Sequence, residues 1–268
     1  SQVEEQGLNI ARTAALMADF PIHVPGTTLD RQCGSGQQAI HFASQAILSG
    51  DMDIVIAGGV ESMTRVPLGA SRQKSNWSET LTSKYEMIHQ GLSAERIADL
   101  WGFTRSQLDE FSIESHNRAI KAQEEGRFNR EIMPLEVTLE DGSMVVVKQD
   151  EGPRKGSTIE KLATLKTVFK EDGKIHAGNA SQMSDGAAAV LLMSREKAEE
   201  LGLKPRFRIV ARSVVGSDPT LMLTGPIEAT RQVLTKAGLT IDDMDTYEVN
   251  EAFAPVPMCW LEEIKADP

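Results

Sequence analysis

Residues 24–59 read VPGTTLDRQCGSGQQAIHFASQAILSGDMDIVIAGG. Val24–Asp30 is predicted as a strand, and the glycine turn at 33–36 leads into a helix with apolar residues spaced i, i+3 and i+7. Gly50 ends that helix, at a position where a left-handed cap is favoured. Ile54–Ala57 is a continuous apolar run, typical of a strand buried on both faces. A strand, a helix and a buried strand in succession form a βαβ unit, so the sequence predicts the α/β class.

The α/β pattern of apolar strands and helices stops after residue 62 and resumes near residue 178. The stretch between them is mostly polar, and it contains a predicted helix over 104–125 that begins with a capping box. A predicted hairpin follows around Asp141-Gly142, a dipeptide that favours a tight turn between strands. Helical and hairpin elements between two α/β regions indicate an inserted domain. Further strands are predicted at 187–193, 207–214 and 245–249, and further helices at 2–19 and from about residue 254.

Composition and charge exclude several classes of protein. The 268 residues include 39 acidic and 28 basic side chains, and the net charge of −11 argues against a nucleic-acid partner. The apolar runs fall far short of the ~20 residues that cross a bilayer, and no secretory leader is visible. Two cysteines are too few for a disulfide scaffold or a four-thiolate zinc site. We therefore expect an acidic, soluble, cytoplasmic protein without a membrane or nucleic-acid partner.

Cys33 is the residue whose surroundings point most directly to chemistry. It stands between a predicted strand and a predicted helix, where unpaired N–H groups and the helix dipole favour the thiolate, the nucleophilic form. Gly34 and Gly36 would let a substrate carbonyl approach the backbone and meet its N–H groups. A free cysteine is also commonly a small buried hydrophobe, and the local sequence leaves both interpretations open.

The other candidate residues carry weaker local signals. Cys259 lies in an apolar helix and is predicted to belong to the core. Asn250 directly follows the strand predicted at 245–249, where its amide can hold a water or a carbonyl oxygen; the alternative is a helix N-cap. His89 stands in a loop before a helix, in a position to line a pocket. No pair of histidines has metal-ligand spacing with a carboxylate, so we predict no metal site.

Several motifs occur along the chain in one order and register. They are RQCGSG at 31–36, AGGVESM at 57–63, GNAS at 178–181 with DGAAA at 185–189, and NEAF at 250–253. Together they resemble the thiolase family, which comprises the acetyl-CoA acetyltransferases and the 3-ketoacyl-CoA thiolases. The resemblance extends through essentially the whole chain. Each motif is weak alone, and their combination is specific.

The resemblance implies a fold and a set of site residues. The fold is α/β, with two similar halves stacked as α-β-α-β-α layers and a loop domain inserted in the first half. Cys33 would accept the acyl group as a thioester, and Asn250 would hold the oxyanion-hole water for the thioester oxygen. His89, Ser181 and Phe253 match positions that bind the substrate. Acyl-CoA and CoA would be substrates and partners, no cofactor would be needed, and the protein would be a homodimer or homotetramer.

The implied activity is thiolysis of 3-ketoacyl-CoA, as in lipid degradation by β-oxidation, or the reverse Claisen condensation. Thiolases also carry, further downstream, a histidine in a Gly-His-Pro motif and a cysteine in a Cys-x-Gly-Gly-Gly motif, and neither motif occurs before Pro268. We therefore expect a fragment that is incomplete at both termini and nearly inactive as it stands. The alternative is a non-catalytic acyl-CoA-binding subunit; a decarboxylating ketoacyl synthase fits the NEAF motif poorly.

On this basis the chain is predicted to have four parts. Residues 1–62 would form the remainder of the N-terminal half and carry the nucleophilic cysteine, and residues 63–177 would form the inserted loop domain. Residues 178–200 would supply the return strand and helix of the N-terminal half. Residues 201–268 would be the first part of the C-terminal half.

Overall fold

The structure is a computed structural model that describes residues 2–72 and 75–268. The chain separates into two compact units: the first unit is Ser1–Ser78 with Met183–Arg212, and the second is Glu79–Gln182 with Ser213–Pro268. The four-part division above stays a prediction. The helices are α1 Ile10–Met17, α2 Ser35–Ser49, α3 Glu79–Thr82, α4 Gln90–Leu100, α5 Arg105–Glu124, α6 Ile159–Ala163, α7 Arg195–Glu200, α8 Gly225–Ala237 and α9 Pro255–Ile264. The strands are β1 Ile54–Ser62, β2 Leu135–Thr138, β3 Met144–Val147 and β4 Asp185–Met193.

An antiparallel ribbon of β1 and β4 forms the centre of the first unit. The two strands pair over all nine residues of each. α2 packs against β1 and ends at Gly50, whose φ of +80° confirms the predicted left-handed cap. The prediction that β1 is buried on both faces is wrong. Ile56 is 51% exposed and Ile54 45% exposed, because β4 is the one strand that pairs with β1 among residues 2–72 and 75–268.

Two predictions for the first 30 residues are also wrong. The helix predicted over 2–19 is broken before α1, because Leu8 takes a positive φ of +54° and Asn9 begins a new helix as its N-cap. Residues 24–30 do not form a strand. Their backbone groups bond to side chains of the α1 region, as where Asn9 Nδ2 donates to the Gly26 carbonyl at 2.7 Å.

Helices α4, α5, α8 and α9 contribute to the core of the second unit. α5 begins with the predicted capping box between Thr104 and Gln107, and α9 begins at Pro255, where proline is tolerated in the first turn. β2 and β3 form the predicted hairpin. The buried apolar side chains of this core include Ala94, Ile97, Ala98, Leu108, Ile175, Ile227, Phe253, Val256, Cys259 and Trp260.

The strands predicted at 207–214 and 245–249 are not strands in the structure. Within the described ranges, no backbone hydrogen bond joins either segment to a neighbouring strand. Tyr247 instead packs on Trp260 of α9, with 5.1 Å between the ring centroids. The apolar pattern of 245–249 therefore reflects side-chain packing against a helix, which local sequence does not distinguish from pairing in a sheet.

Candidate active site

Cys33 lies in a short 3-10 turn that leads directly into α2, and the residue is exposed. Gln32 takes a left-handed φ of +50°, and its N–H donates to Asp30 Oδ1 at 2.7 Å. Ser35 Oγ donates to the Gln32 carbonyl at 2.7 Å and accepts the Arg31 N–H at 2.8 Å. A backbone conformation of this kind costs free energy and clusters at functional sites. These hydrogen bonds therefore fix the backbone of the turn, and Cys33 is exposed to solvent on it.

The N-terminus of α2 is open beside this turn. Gly34 is the N-cap, and no side-chain hydrogen bond caps the first N–H groups of the helix. An added Cβ at Gly36 would meet no atom within 4 Å, and one at Gly34 would meet only side-chain carbons of Arg31 at 3.6 Å. A substrate oxygen can therefore approach the N–H groups at the positive end of the helix dipole.

Cys259 has the opposite environment. It is 1% exposed, and its Sγ donates to the Val256 carbonyl at 3.1 Å. Burial raises the pKa of the Cys259 thiol to about 12, with a further contribution from the negative charge of Glu263. The prediction that Cys259 belongs to the core is confirmed, and its thiol stays protonated at neutral pH.

Asn250 stands next to a short ladder of hydrogen bonds. Ser181 N–H donates to the Ala252 carbonyl at 3.0 Å, and Ser181 Oγ donates to the Glu251 carbonyl at 2.8 Å. The Asn250 side chain is exposed and does not cap α9, whose N-cap lies four residues later at Ala254. The N-cap interpretation of Asn250 is therefore wrong. The ladder brings Ser181 beside the residues that follow Asn250.

His89, Phe169 and Phe253 form a row of contacting rings. The His89 ring stacks on Phe169 with 5.1 Å between centroids and an interplanar angle of 23°. Phe169 meets Phe253 edge to face at 5.9 Å. His89 is the N-cap of α4, and its Nδ1 accepts the Gly91 N–H at 3.1 Å. Phe169 therefore links two of the predicted substrate-binding residues, although no motif in the sequence singled it out.

Gly91 is required for this row, because an added Cβ would overlap the ring of Phe169. We expect Gly91→Ala to lower the free energy of unfolding by about 1–3 kcal/mol through overpacking, despite the higher helix propensity of alanine. Thermal unfolding measures this effect. Gly186→Ala in β4 is the matched control, since its Cβ would meet nothing within 4 Å. Equal destabilisation by both substitutions would contradict the role assigned to Gly91.

The second unit contains a buried polar network that no sequence motif predicted. His176 is fully buried, and its Nε2 lies 2.8 Å from Asp109 Oδ1. Asn179 Nδ2 donates to the same carboxylate oxygen at 3.0 Å. Asp109 precedes His176 by 67 residues, so no local pattern joins them. The one signal in the sequence is a histidine three residues before the asparagine of the GNAS motif.

The structure groups four of the predicted site residues in one unit. His89, Ser181, Asn250 and Phe253 belong to the second unit, and Cys33 belongs to the first. Within residues 2–72 and 75–268, no group of three or more His, Cys, Asp or Glu side chains is arranged to hold a metal ion. None of the helices in those ranges has the length and apolar character needed to cross a membrane.

Known proteins match this chain along its length. The family profile described as thiolase, N-terminal domain, matches residues 1–196, and that described as thiolase, C-terminal domain, matches residues 203–268. The steroid 3-ketoacyl-CoA thiolase FadA6 of Mycobacterium tuberculosis is 47% identical, over 98% of this chain and 66% of its own. An acetyl-CoA acetyltransferase of Chromobacterium violaceum is 45% identical, over 92% of this chain and 66% of its own. The chain thus spans just under two thirds of the length of these curated relatives.

A solved structure also resembles this one. The crystal structure of the Bacillus anthracis acetyl-CoA acetyltransferase matches with a TM-score of 0.88 and 41% sequence identity. The match covers 99% of this chain and 70% of that one. The predicted α/β, thiolase-like fold class is confirmed by this likeness. With both family profiles matched in order, this chain belongs to the thiolase family.

Proposed function

We propose that this chain supplies the acyl-accepting thiol and the oxyanion contact for CoA-dependent acyl transfer of the thiolase type. The Cys33 thiolate attacks the 3-keto carbon of a 3-ketoacyl-CoA, and the bond between C2 and C3 breaks. The two-carbon unit leaves as the enolate of acetyl-CoA and takes up a proton, while the remaining acyl group stays on Cys33 as a thioester. The thiol of a second CoA then takes that acyl group and releases Cys33. The reverse sequence is the Claisen condensation of an acyl-CoA with acetyl-CoA, which uses two acetyl-CoA molecules when the acyl group is acetyl.

The observation that carries this proposal is the exposed Cys33 beside the open N-terminus of α2. A nucleophile must reach its substrate, and backbone N–H groups next to it can stabilise the oxyanion that forms on attack. Cys259 offers neither property, because it is buried and its pKa is raised to about 12. Of the two thiols, Cys33 is therefore the one suited to carry an acyl group.

We assign Asn250 to the water that would contact the thioester oxygen. Its exposed amide offers both a donor and an acceptor and does not change charge with pH. His89, Ser181 and Phe253 are proposed to line the channel for the acyl-CoA. The ladder at Ser181 and the ring row at Phe253 support this assignment, because both converge on the segment that follows Asn250.

Alkylation with iodoacetamide followed by peptide mapping tests the difference between the two thiols. We expect Cys33 to be labelled and Cys259 to stay unlabelled under native conditions, because only the first is exposed. Incubation of the intact protein with acetyl-CoA before alkylation is expected to leave an acetyl group on the Cys33 peptide and to protect it. Unfolding the protein in denaturant provides the control, since both cysteines should then react. Preferential labelling of Cys259 in the native protein would contradict the proposal, and binding of acetyl-CoA without acetylation would favour a non-catalytic subunit.

We infer that the protein acts in the cytoplasm as a homodimer or homotetramer, with acyl-CoA and CoA as its partners. The net charge of −11 supports an assignment without nucleic acid. Exposed apolar residues on the ribbon of the first unit, such as the cross-strand pair Ile56 and Leu191, support association with another subunit. CoA enters as a substrate, and the acyl-transfer chemistry above uses no separate cofactor.

A further inference from the structure

His176, Asp109 and Asn179 form a polar cluster that the proposed chemistry does not use. Their exposed fractions are 0%, 2% and 3%. Asp109 lies on α5, and the other two lie in the loop that leads to Ser181. Buried polar groups are costly unless every donor and acceptor is satisfied, so a cluster of three in one place calls for a physical reason.

The hydrogen bonds assign the tautomer of His176. The Gly178 N–H donates to His176 Nδ1 at 3.0 Å, so Nδ1 carries the lone pair and the ring proton is on Nε2. Nε2–H then donates to Asp109 Oδ1 at 2.8 Å. The imidazole therefore joins the loop backbone on one side to the α5 carboxylate on the other.

Asn179 is saturated by the same cluster. Its Oδ1 accepts a hydrogen bond from the backbone N–H of His176 at 2.9 Å. Its Nδ2 donates to Asp109 Oδ1 at 3.0 Å and to the Lys174 carbonyl at 2.9 Å, which uses both amide protons. Arg105 lies 3.8 Å from the second oxygen of Asp109. The Asn179 side chain is thus held by three hydrogen bonds in a dry environment.

The main chain of this loop is hydrogen-bonded to the NEAF motif and to the residue that follows it. The Asn179 carbonyl accepts the Ala254 N–H at 2.9 Å, and Ser181 N–H donates to the Ala252 carbonyl at 3.0 Å. Ala180 and Phe253 form the bridge between these two bonds. Asn250 directly precedes the residues of this ladder, so a shift of the ladder would also move the Asn250 backbone.

We propose that His176, Asp109 and Asn179 are positioning residues for Asn250. They act through the backbone ladder between residues 179–181 and 251–254, and they do not contact the substrate. This inference rests on the proposed function, because it assigns the cluster a role only if Asn250 holds the oxyanion-hole water. A displacement of about 1 Å at a catalytic group lowers a rate by about 10²-fold, which sets the scale of the effect.

Two substitutions at His176 separate its two hydrogen bonds. His176→Asn keeps an acceptor near Nδ1 for Gly178 but loses the donor to Asp109, whereas His176→Gln keeps a donor near Nε2. We expect His176→Asn to lower kcat for thiolysis in the intact protein by about 10- to 100-fold with KM for CoA changed less than about threefold. His176→Gln is expected to restore most of kcat. His23→Asn, at an exposed histidine, is the matched control and should leave kcat unchanged.

A double-mutant cycle with Asn250→Ala distinguishes positioning from a general loss of structure. If the cluster acts through Asn250, adding His176→Asn to Asn250→Ala lowers kcat further by less than about threefold. An equal loss of kcat in both backgrounds, or no loss in either, would overturn the inference. If His176→Asn fails to fold, Asp109→Asn serves instead, since it keeps an acceptor at Oδ1 but weakens the bonds by removing charge; we expect a loss of about three- to tenfold that also vanishes with Asn250→Ala.

The parent protein and Cys33→Ala separate this inference from the function on which it rests. Absence of thiolysis in the intact protein, or activity there that survives Cys33→Ala, refutes the proposed function whatever His176 does. Thiolysis that depends on Cys33 and Asn250 but is independent of His176 refutes only the positioning role.

Discussion

In the intact protein, Cys33→Ala is expected to lower kcat for thiolysis by on the order of 10⁴- to 10⁶-fold, because no other group takes over as the acyl acceptor. The only other cysteine, Cys259, is buried with a pKa raised to about 12 and does not substitute for it. Since Cys33 is exposed, its substitution should change the free energy of unfolding by less than about 0.5 kcal/mol. Steady-state kinetics with a 3-ketoacyl-CoA and CoA, together with thermal unfolding, measure both quantities.

Cys259→Ala is the matched control for this prediction. It removes a buried thiol and its hydrogen bond to the Val256 carbonyl, so we expect the free energy of unfolding to fall by about 1–2 kcal/mol. Its kcat should stay within about twofold of the parent at a temperature where it is folded. The assignment of the nucleophile is refuted if Cys33→Ala stays active or if folded Cys259→Ala is inactive.

Asn250→Ala carries the second largest expected effect, a loss of about 10²- to 10³-fold in kcat, the usual cost of removing one oxyanion-hole donor. The loss should appear in kcat with little change in KM, because the water contact strengthens only as charge develops on the thioester oxygen. Stability should be unaffected, since the Asn250 side chain is exposed and does not cap α9.

Asn117→Ala provides the corresponding control, because Asn117 is an exposed residue on α5 in the same unit. It should keep the parent kcat and the parent unfolding temperature. A fall in the unfolding temperature of Asn250→Ala, with a rate loss no larger than that of Asn117→Ala, would show that Asn250 has a structural role and no catalytic one.

Features of the fold that depend on a few neighbouring residues were predictable from the sequence. The capping box of α5, the left-handed Gly50 after α2 and the proline start of α9 each involve groups within one turn of one another. The hairpin of β2 and β3 is equally local, because its turn joins adjacent strands. The capping hydrogen bonds, the glycine conformation and the proline ring each restrict the backbone locally and do not require a tertiary contact.

Strand predictions at 24–30, 207–214 and 245–249 failed for the opposite reason. A strand exists only where a distant segment supplies its hydrogen-bond partner, and the apolar pattern of one segment does not name that partner. Gly26 bonds to the side chain of Asn9, and Tyr247 packs against α9. The hydrogen bond satisfies the Gly26 carbonyl, and the ring contact packs the Tyr247 side chain. Neither contact requires a partner strand.

The same distinction between local and long-range features applies to the candidate site. The turn at Cys33, its glycines and the helix that follows are contiguous, so residue types and spacing sufficed to single out the thiol and, with three further motifs, the thiolase family. Three other features depended on the tertiary structure. His176 meets Asp109 across 67 residues, and Phe169 contacts both His89 and Phe253. Cys259 is buried deeply enough for the pKa of its thiol to rise. Burial and long-range hydrogen bonds arise only when segments far apart in sequence pack together, and the order of residues along the chain does not encode those distances in any local pattern.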